Sequence, residues 1–235
     1  MSGILKMFKL FKYVKHLISD FIKFFVIYMP GPTGRKLRYL YYRKKLKRCG
    51  KNVVIDEGVI IQGAEWISIG DNVWIDKYCI LMAGPVRFNE KCLVKKIENR
   101  KFLYKEGELV IGNGVHIGIN NILQAHAGIF IRNNVTTSAG VKIYSLSNYP
   151  IYEGNPGLIT YANCMSDGII SYILSPIVIE DGVWLALNVI VVGGTIGENS
   201  FIVSNSVVYK DIPENSYALG SPAKKIKDRF KLEGS

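Results

Sequence analysis

Aliphatic side chains return at intervals of six residues through most of this chain, and that spacing limits the folds available to it. The recurring positions hold Ile, Leu or Val, with one Thr: Ile69, Ile75, Leu81, Ile111, Ile117, Leu123, Ile129, Ile131, Thr137, Ile143, Ile179, Leu185, Val191, Ile196, Ile202 and Val208. A second set, mostly small or β-branched, stands four positions after members of the first: Val73, Cys79, Val115, Asn121, Ala127, Val135, Val141, Val183, Val189, Thr195 and Ser206. Neither the α-helical period nor the two-residue period of a strand produces this pattern.

A period of six indicates a parallel β-helix, in which each unit supplies one short strand and three units complete a coil. The large aliphatic side chain points into the prism, the small residue fits a corner, and Gly or Asn relaxes the turn. A β-sandwich would need polar alternation and regularly spaced loops, which the sequence lacks. We therefore expect an all-β domain over residues 49–214, a helical segment over 1–48, and a tail over 215–235 that contains a short helix.

Two stretches interrupt the repeat, residues 82–110 and residues 148–176. The first is rich in Lys and Arg among Phe and Tyr, and the second begins with Asn148 and Tyr149 before a proline. Insertions in a repeat array form protruding loops, and loops on a rigid scaffold commonly bind substrates. We therefore expect the functional site to lie beside these two loops.

The N-terminal segment from Gly3 to Met29 has the pattern of a basic amphipathic helix. One half of its helical wheel holds the lysines together with other polar residues: Lys6, Lys9, Lys12, Lys15, Lys23, His16, Ser19 and Asp20. The other half is apolar, with Leu5 and Tyr13 as exceptions: Met7, Leu10, Phe11, Val14, Leu17, Ile18, Phe21, Ile22 and Phe25. The lysines leave no uncharged run long enough for a membrane span, and no small-residue cleavage site follows. Two interpretations stay open: a helix in the interface of an anionic membrane, or one whose apolar face packs on the protein or on a second subunit.

The formal charge of +11 favours an anionic partner such as a nucleic acid, an acidic membrane surface or a phosphorylated ligand. Residues 35–48 alternate basic and aromatic side chains, which is one pattern of nucleic-acid binding. However, Leu37, Leu40, Tyr41 and Lys44 stand at helical spacing, so a second short helix with a solvated basic face is favoured over a nucleic-acid partner.

The four cysteines lie far apart and include no Cys-x-x-Cys pair: Cys49, Cys79, Cys92 and Cys164. This arrangement suggests neither a disulfide framework nor a zinc site. Reduced thiols in a cytoplasmic protein are the expected state.

Residues 55–229 resemble the hexapeptide-repeat acyltransferases, in particular the branch that contains galactoside, maltose and polysaccharide O-acetyltransferases. The resemblance is carried by VIEDGVW at 178–184, IGENS at 196–200, SVVYKDIP at 206–213 and GSPAKKI at 220–226. It implies a left-handed β-helix, a homotrimer with active sites between subunits, an acetyl-CoA or other acyl-CoA donor, and a histidine base. No metal is expected, because the zinc enzymes of this fold need three ligand histidines and one of the three histidines present, His16, lies outside the repeat.

The resemblance also assigns coenzyme contacts, position by position. They fall on Leu187, Ser204, Tyr209, Lys210, Lys224 and Lys227. Small residues on a coil edge would let the pantetheine arm lie along the backbone, and the three lysines could pair with phosphates. A solvated basic tail is the alternative for each lysine.

The sequence departs from the family at the expected base. Asn148 occupies the place where sugar O-acetyltransferases have a histidine before the long loop, and an amide cannot abstract a proton. Counting units puts His126 on the same face one coil below and His116 on a different face, so we assign His126 as the general base. Asn148 would hold the acceptor or the acyl carbonyl, and Glu153 or Asp167 in the loop would contact the substrate or orient the imidazole.

The leading hypothesis is O-acetylation of a sugar hydroxyl in a cell-surface polysaccharide or its lipid-linked precursor, by a cytoplasmic protein peripheral to the inner face of the membrane. One alternative is N-acylation of a nucleotide-linked amino sugar. Another is a non-catalytic binding or assembly subunit, which the substitution at Asn148 would explain.

Overall fold

The structure of the protein, a computed structural model, describes residues 2–98, 104–149 and 170–230. Its helices are α1 (Ser2–Tyr28), α2 (Gly31–Arg43) and a 3₁₀ turn at Ala64–Trp66. Pro30 separates the two α-helices, because a proline there cannot continue the first one. Within the described ranges, neither α-helix combines the length and the apolar character that crossing a bilayer requires.

Three sheets built mainly of parallel strands form the faces of a β-helix, as the period of six predicts, and the helix is left-handed, as the family resemblance implies. Sheet A contains β1 (Arg48–Cys49), β4 (Ile67–Ile69), β8 (Leu109–Ile111), β11 (Ile129–Ile131), β16 (Ile177–Ile179) and β19 (Gly194–Ile196). Sheet B contains β2 (Val54–Ile55), β5 (Trp74–Ile75), β9 (His116–Ile117), β12 (Thr136–Thr137), β17 (Trp184–Leu185), β20 (Phe201–Ile202), β22 (Ser216–Gly220) and β23 (Ala223–Asp228). Sheet C contains β3 (Ile60–Gln62), β6 (Ile80–Met82), β10 (Ile122–Gln124), β13 (Lys142–Tyr144), β18 (Ile190–Val191) and β21 (Val207–Val208).

The predicted aliphatic positions stack in register inside the prism. On sheet A, Ile111 pairs with Ile69 on one side and Ile131 on the other, and the ladder continues to Ile179. All of these side chains are buried, as are their counterparts on the other two faces. Burying an aliphatic side chain of this size contributes about 1.5–3 kcal/mol, so the column of aliphatic residues stabilises every coil.

All three corners of the prism contain residues with left-handed backbone. The corner between sheets A and B has Asn134 stacked on Gly114, with φ of 55° and 65°, and most other coils place Asn or Gly there. Asn and Gly tolerate this conformation better than other residues. The third corner, where the chain passes from sheet C to sheet A, is different: both predicted insertions leave the prism there, after β6 and after β13. We call it the C–A corner.

The two insertions meet in an additional three-stranded sheet. Strand β15 (Ile170–Leu174) lies in the middle, with β14 (Leu146–Asn148) antiparallel on one side and β7 (Cys92–Lys96) parallel on the other. The two insertions are therefore joined to each other by backbone hydrogen bonds.

The expected short C-terminal helix is not formed by the part of the tail that the structure describes. Residues 216–228 instead form the antiparallel pair β22 and β23, which extends sheet B beyond β20. The end of a β-helix exposes unpaired backbone groups, and β23 covers them with its own backbone. Pro222, which a helix interior would exclude, lies in the turn between the two strands.

Candidate active site

His126 lies at the C–A corner, between the starting points of the two insertions. It follows β10, whose neighbours in sheet C are β6 on one side and β13 on the other. The first insertion leaves after β6, where the Gly84 N–H donates to the Gly107 carbonyl and closes the base of the loop. The second leaves after β13 through Ser145. The imidazole is therefore positioned where two protruding segments converge.

The hydrogen bond of the ring fixes its tautomer. The His126 Nδ1 atom lies 2.8 Å from the Gly84 carbonyl oxygen. A carbonyl can only accept, so Nδ1 must carry the proton, and in the neutral ring Nε2 is left with its lone pair. The side chain is half-buried, which leaves an approach to the ring from outside. This is the form of histidine that can take a proton from a hydroxyl group.

Ser145 holds the His126 turn against the next coil, a role that sequence reasoning missed. Its Oγ accepts a hydrogen bond from the Ala127 N–H at 2.9 Å and donates to the Gln124 carbonyl at 2.8 Å. Ser145 is fully buried, so water cannot replace these bonds. The only signal in the sequence is its place one coil beyond Ala125, where most units have no hydroxyl.

Asn148 ends β14, pairs with Tyr172 and is exposed. The chain leaves the prism shortly before Asn148, at the same corner as the His126 turn. The two turns are neighbours because β13, before Asn148, and β10, before His126, are adjacent in sheet C. Glu153 and Asp167, the other residues predicted to contact the substrate, lie outside the described residues.

The other two histidines lie elsewhere. His16 is exposed on α1. His116 projects from β9 in sheet B, where its Nε2 is 3.1 Å from an Asp76 carboxylate oxygen and its ring is 5.8 Å from the Trp74 ring. The structure therefore separates His116 from His126 onto a different part of the prism, as counting the repeat units predicts.

Three of the six predicted coenzyme contacts line one cavity. Tyr209, Lys210 and Lys224 surround a space of about 550 Å³ together with Lys225 and Pro222. The cavity forms because β23 folds back beside the chain that follows β21. The lining thus combines three lysines and one carboxylate, Asp211, with an aromatic ring and apolar walls, and such a groove can bind a phosphate group and a flexible arm.

The remaining three predicted contacts lie apart from this cavity. Leu187 and Ser204 occupy the corner between sheets B and C, where the Asn205 N–H donates to the Leu187 carbonyl. Lys227 is on β23 with its Nζ 4.8 Å from the centre of the Tyr217 ring. A single copy of the chain thus presents the six residues on more than one surface.

The cavity and His126 share the C–A corner. Tyr209 and Lys210 follow β21 as His126 follows β10, and the order of sheet C is β10, β13, β18, β21. Three strand spacings, roughly 14 Å, separate the two coils along the corner. A long, thin ligand bound in the cavity could reach the imidazole by running along this edge.

No family model matches the chain. Over 188 residues it is 28% identical to the Escherichia coli dTDP-4-amino-4,6-dideoxy-D-glucose acyltransferase, which covers 79% of this chain and 83% of that protein. A Bacillus cereus N-acyltransferase, AntD, whose crystal structure holds dTDP and coenzyme A, superposes with a TM-score of 0.63 at 22% identity, covering 81% of this chain and 89% of the other. That likeness shows the fold.

Some curated relatives are matched over a smaller share. An acetyltransferase by name from Schizosaccharomyces pombe is 57% identical over 53 residues, and the chain spans only 26% of its length. The WbbJ protein of Escherichia coli K12, named for O-acetyl transfer in lipopolysaccharide biosynthesis, is 32% identical over 146 residues, which make up 54% of this chain and 74% of that protein. Given that relationship, the six-residue repeat and the shared fold, the chain belongs to the hexapeptide-repeat acyltransferases.

Proposed function

We propose that this protein transfers an acetyl group from acetyl-CoA to a sugar hydroxyl of a cell-surface polysaccharide or its lipid-linked precursor. The observation that carries the proposal is the alignment of His126 with the Tyr209, Lys210 and Lys224 cavity along the C–A corner. The name of the WbbJ relative supports the choice of a surface glycan as acceptor. A location at the inner face of the cytoplasmic membrane would bring the enzyme to such a precursor.

In the proposed reaction, His126 Nε2 accepts the proton of the acceptor hydroxyl while its oxygen attacks the thioester carbonyl. The tetrahedral intermediate collapses, the carbon–sulfur bond breaks, and the imidazolium returns the proton to the coenzyme thiolate. The Gly84 carbonyl accepts a hydrogen bond from the Nδ1–H throughout, in the neutral ring and in the imidazolium. A backbone N–H or the Asn148 amide would stabilise the oxyanion, and Glu153 or Asp167 would contact the sugar.

The coenzyme would lie with its phosphates near Lys210 and Lys224 and its pantetheine arm along the C–A corner. Leu187 and Ser204 occupy the corner between sheets B and C, away from this groove within one copy, and Lys227 is not among the residues that line it. In a homotrimer, these residues could approach a neighbouring copy's C–A corner and complete its groove. We therefore include trimer assembly in the proposal.

A second candidate function is N-acylation of a nucleotide-linked amino sugar. It is favoured by the dTDP-amino-sugar acyltransferase relative, which matches more of this chain than WbbJ does. An amine acceptor would need the same base and donor groove, so the site residues do not distinguish the two candidates.

Release of free coenzyme A from acetyl-CoA, measured with hydroxyl sugars, lipid-linked glycans and dTDP-amino sugars as acceptors, tests the proposal. We expect turnover with a hydroxyl acceptor, and a His126→Ala loss of about 10²–10⁴ in kcat. His116→Ala is the matched control and should retain the parental kcat. Turnover only with amino sugars would favour the second candidate, and equal activity of His126→Ala and the parent would exclude His126 as the base. If no coenzyme A is released with any acceptor, the proposal of an enzyme is contradicted and a non-catalytic binding or assembly subunit is favoured.

A further inference from the structure

The excess positive charge of the protein is confined to its first 48 residues. That segment holds 13 Lys and Arg against a single acidic residue, Asp20, whereas the remaining 187 residues hold 17 basic and 18 acidic residues. The β-helix is therefore nearly neutral. An anionic partner attracted by the net charge of +11 would meet the helical segment, not the prism.

The apolar face of α1 is not covered by any described part of the chain. Large apolar side chains remain exposed over most of the helix, including Phe11 at 71% and Phe21 at 65%: Met7, Leu10, Phe11, Val14, Leu17, Ile18, Phe21, Ile22, Phe24 and Phe25. Monomeric soluble proteins rarely expose a continuous apolar stripe of this kind, and such a stripe marks an interaction surface. The apolar face of α1 therefore does not pack on the described residues of its own chain. A membrane interface and a second subunit are the remaining interpretations.

The C-terminal end of α1 is attached to the body through a junction built around Arg38. Val26 is buried there, and the fully buried Arg38 donates from Nη1 to the carbonyls of Val26 and Met29 at 3.1 and 2.7 Å, and from Nε to the Ile55 carbonyl at 2.7 Å. Val26 projects from the side of α1 that bears the lysines. The attachment thus holds the helix in place and leaves the opposite, apolar side open.

We propose that α1 binds in the plane of an anionic phospholipid bilayer, with its apolar stripe among the acyl chains and its lysines at the head groups. Lys12 and Lys23 are exposed on the side of the helix opposite to Phe21, as an interfacial helix requires. This inference does not depend on the proposed reaction. It assigns a binding surface to a helix that the candidate active site does not use.

Charge argues against the other occupants of this surface. A second copy would bring an equally basic helix against α1, and like charges at an interface oppose association. Duplex DNA would neutralise the lysines, but it would leave the phenylalanine stripe in water. An anionic bilayer can contact both faces of α1 favourably, because the head groups attract the lysines and the acyl chains cover the apolar residues.

The test is flotation of the full-length protein with vesicles of phosphatidylcholine alone or mixed with phosphatidylglycerol. We expect binding to the mixed vesicles that falls about tenfold or more when the salt concentration is raised well above physiological. Phe11→Ser with Phe21→Ser should lower binding at least about tenfold, because two of the anchoring rings are lost. Tyr13→Ser with His16→Ser is the matched control: it removes two exposed rings from the lysine side and should bind like the parent.

Other results would overturn the proposal. Equal flotation of the phenylalanine variant and its control would show that the apolar stripe is not the membrane contact. If the parent does not float but light scattering shows that the phenylalanine variant loses an oligomer, a second copy covers the helix. If the parent binds duplex DNA and no vesicle, the basic face serves a nucleic acid. Circular dichroism identical to that of the parent shows that a variant still folds.

Discussion

The imidazole of His126 obtains its tautomer from a backbone carbonyl, Gly84 O, and its position from a buried hydroxyl, Ser145 Oγ. Neither partner could be inferred from side-chain chemistry in the sequence, because one is a main-chain atom and the other belongs to the next coil. What the sequence did predict was the face of the prism, since three units per coil fix where each residue falls. At the scale of a residue, the repeat predicts on which face His126 lies, whereas tertiary contacts determine the protonation and orientation of its ring.

We predict that Ser145→Ala lowers kcat about tenfold, because the His126 turn loses the hydrogen bonds of the Ser145 hydroxyl. This effect is smaller than the effect of removing the base itself. The buried Ala127 N–H would lose its partner, which costs about 1–3 kcal/mol in the free energy of unfolding. Ser200→Ala is the matched control, because Ser200 Oγ donates to the Pro213 carbonyl and accepts from the Ser216 N–H in the same way, away from His126. It should lose similar stability but keep the parental kcat; a drop in kcat in both variants would mean that general destabilisation is responsible.

The Cys79 thiol is predicted to be unreactive in the folded protein. Burial inside the prism raises its pKa to about 12, so almost no thiolate forms at neutral pH. Cys92, half-buried at the start of β7, provides an internal comparison. Peptide mass spectrometry after brief iodoacetamide treatment should find Cys92 alkylated and Cys79 modified only after denaturation. Equal modification of the two cysteines in the native protein would contradict the close packing of this coil.

At the scale of elements, the parallel strands could be predicted because each one repeats the same short side-chain pattern. The additional sheet could not: β7 and β15 pair over a long separation in sequence, and neither has a counterpart in other coils. The C-terminal hairpin escaped prediction for a similar reason, since the run Lys224, Lys225, Ile226 and Lys227 has no apolar alternation. Its pairing is determined by the open edge of β22, which exists only once the coils have formed.

The corner columns make a prediction about the turns between these elements. Asn134→Ala should lower the free energy of unfolding by about 1–2 kcal/mol, because an alanine Cβ disfavours the left-handed backbone at φ 55°. Asn134→Gly should be close to neutral, as glycine adopts this conformation readily. Chemical denaturation of the three proteins measures both changes. If the glycine variant is as unstable as the alanine variant, the Asn134 side chain and not its backbone conformation stabilises the corner.

At the scale of the whole molecule, charge and stability are divided between two parts. The helical segment carries the net positive charge, while the prism carries the aliphatic core and the candidate active site. The total charge of +11 therefore says little about coenzyme binding, which depends on a few local lysines such as Lys210 and Lys224 beside a single cavity. In the proposed arrangement, α1 would hold the protein at the membrane and the C–A corner would perform the transfer. The two activities can then be impaired separately by variants in each part.

The folded molecule should also lose stability at alkaline pH through two buried acids. Burial raises the pKa of Tyr42, which packs α2 on the first coils, to about 12, and that of the Cys79 thiol likewise to about 12, against ordinary values of 10.0 and 9.0. Between pH 9 and pH 12 each group stays protonated in the folded state while the unfolded chain releases its proton. The contribution of the two groups to the free energy of unfolding is therefore fully present below pH 9 and is lost as the pH rises toward 12. The free energy of unfolding should drop by about 1.4 kcal/mol per pH unit for each group between its ordinary pKa and its pKa in the folded protein.

Tyr42→Phe and Cys79→Ala should each reduce that slope in urea denaturation measured from pH 8 to pH 11.5, whereas Tyr13→Phe on the exposed helix should not. A slope that is the same in all four proteins would show that these two groups do not govern the alkaline transition.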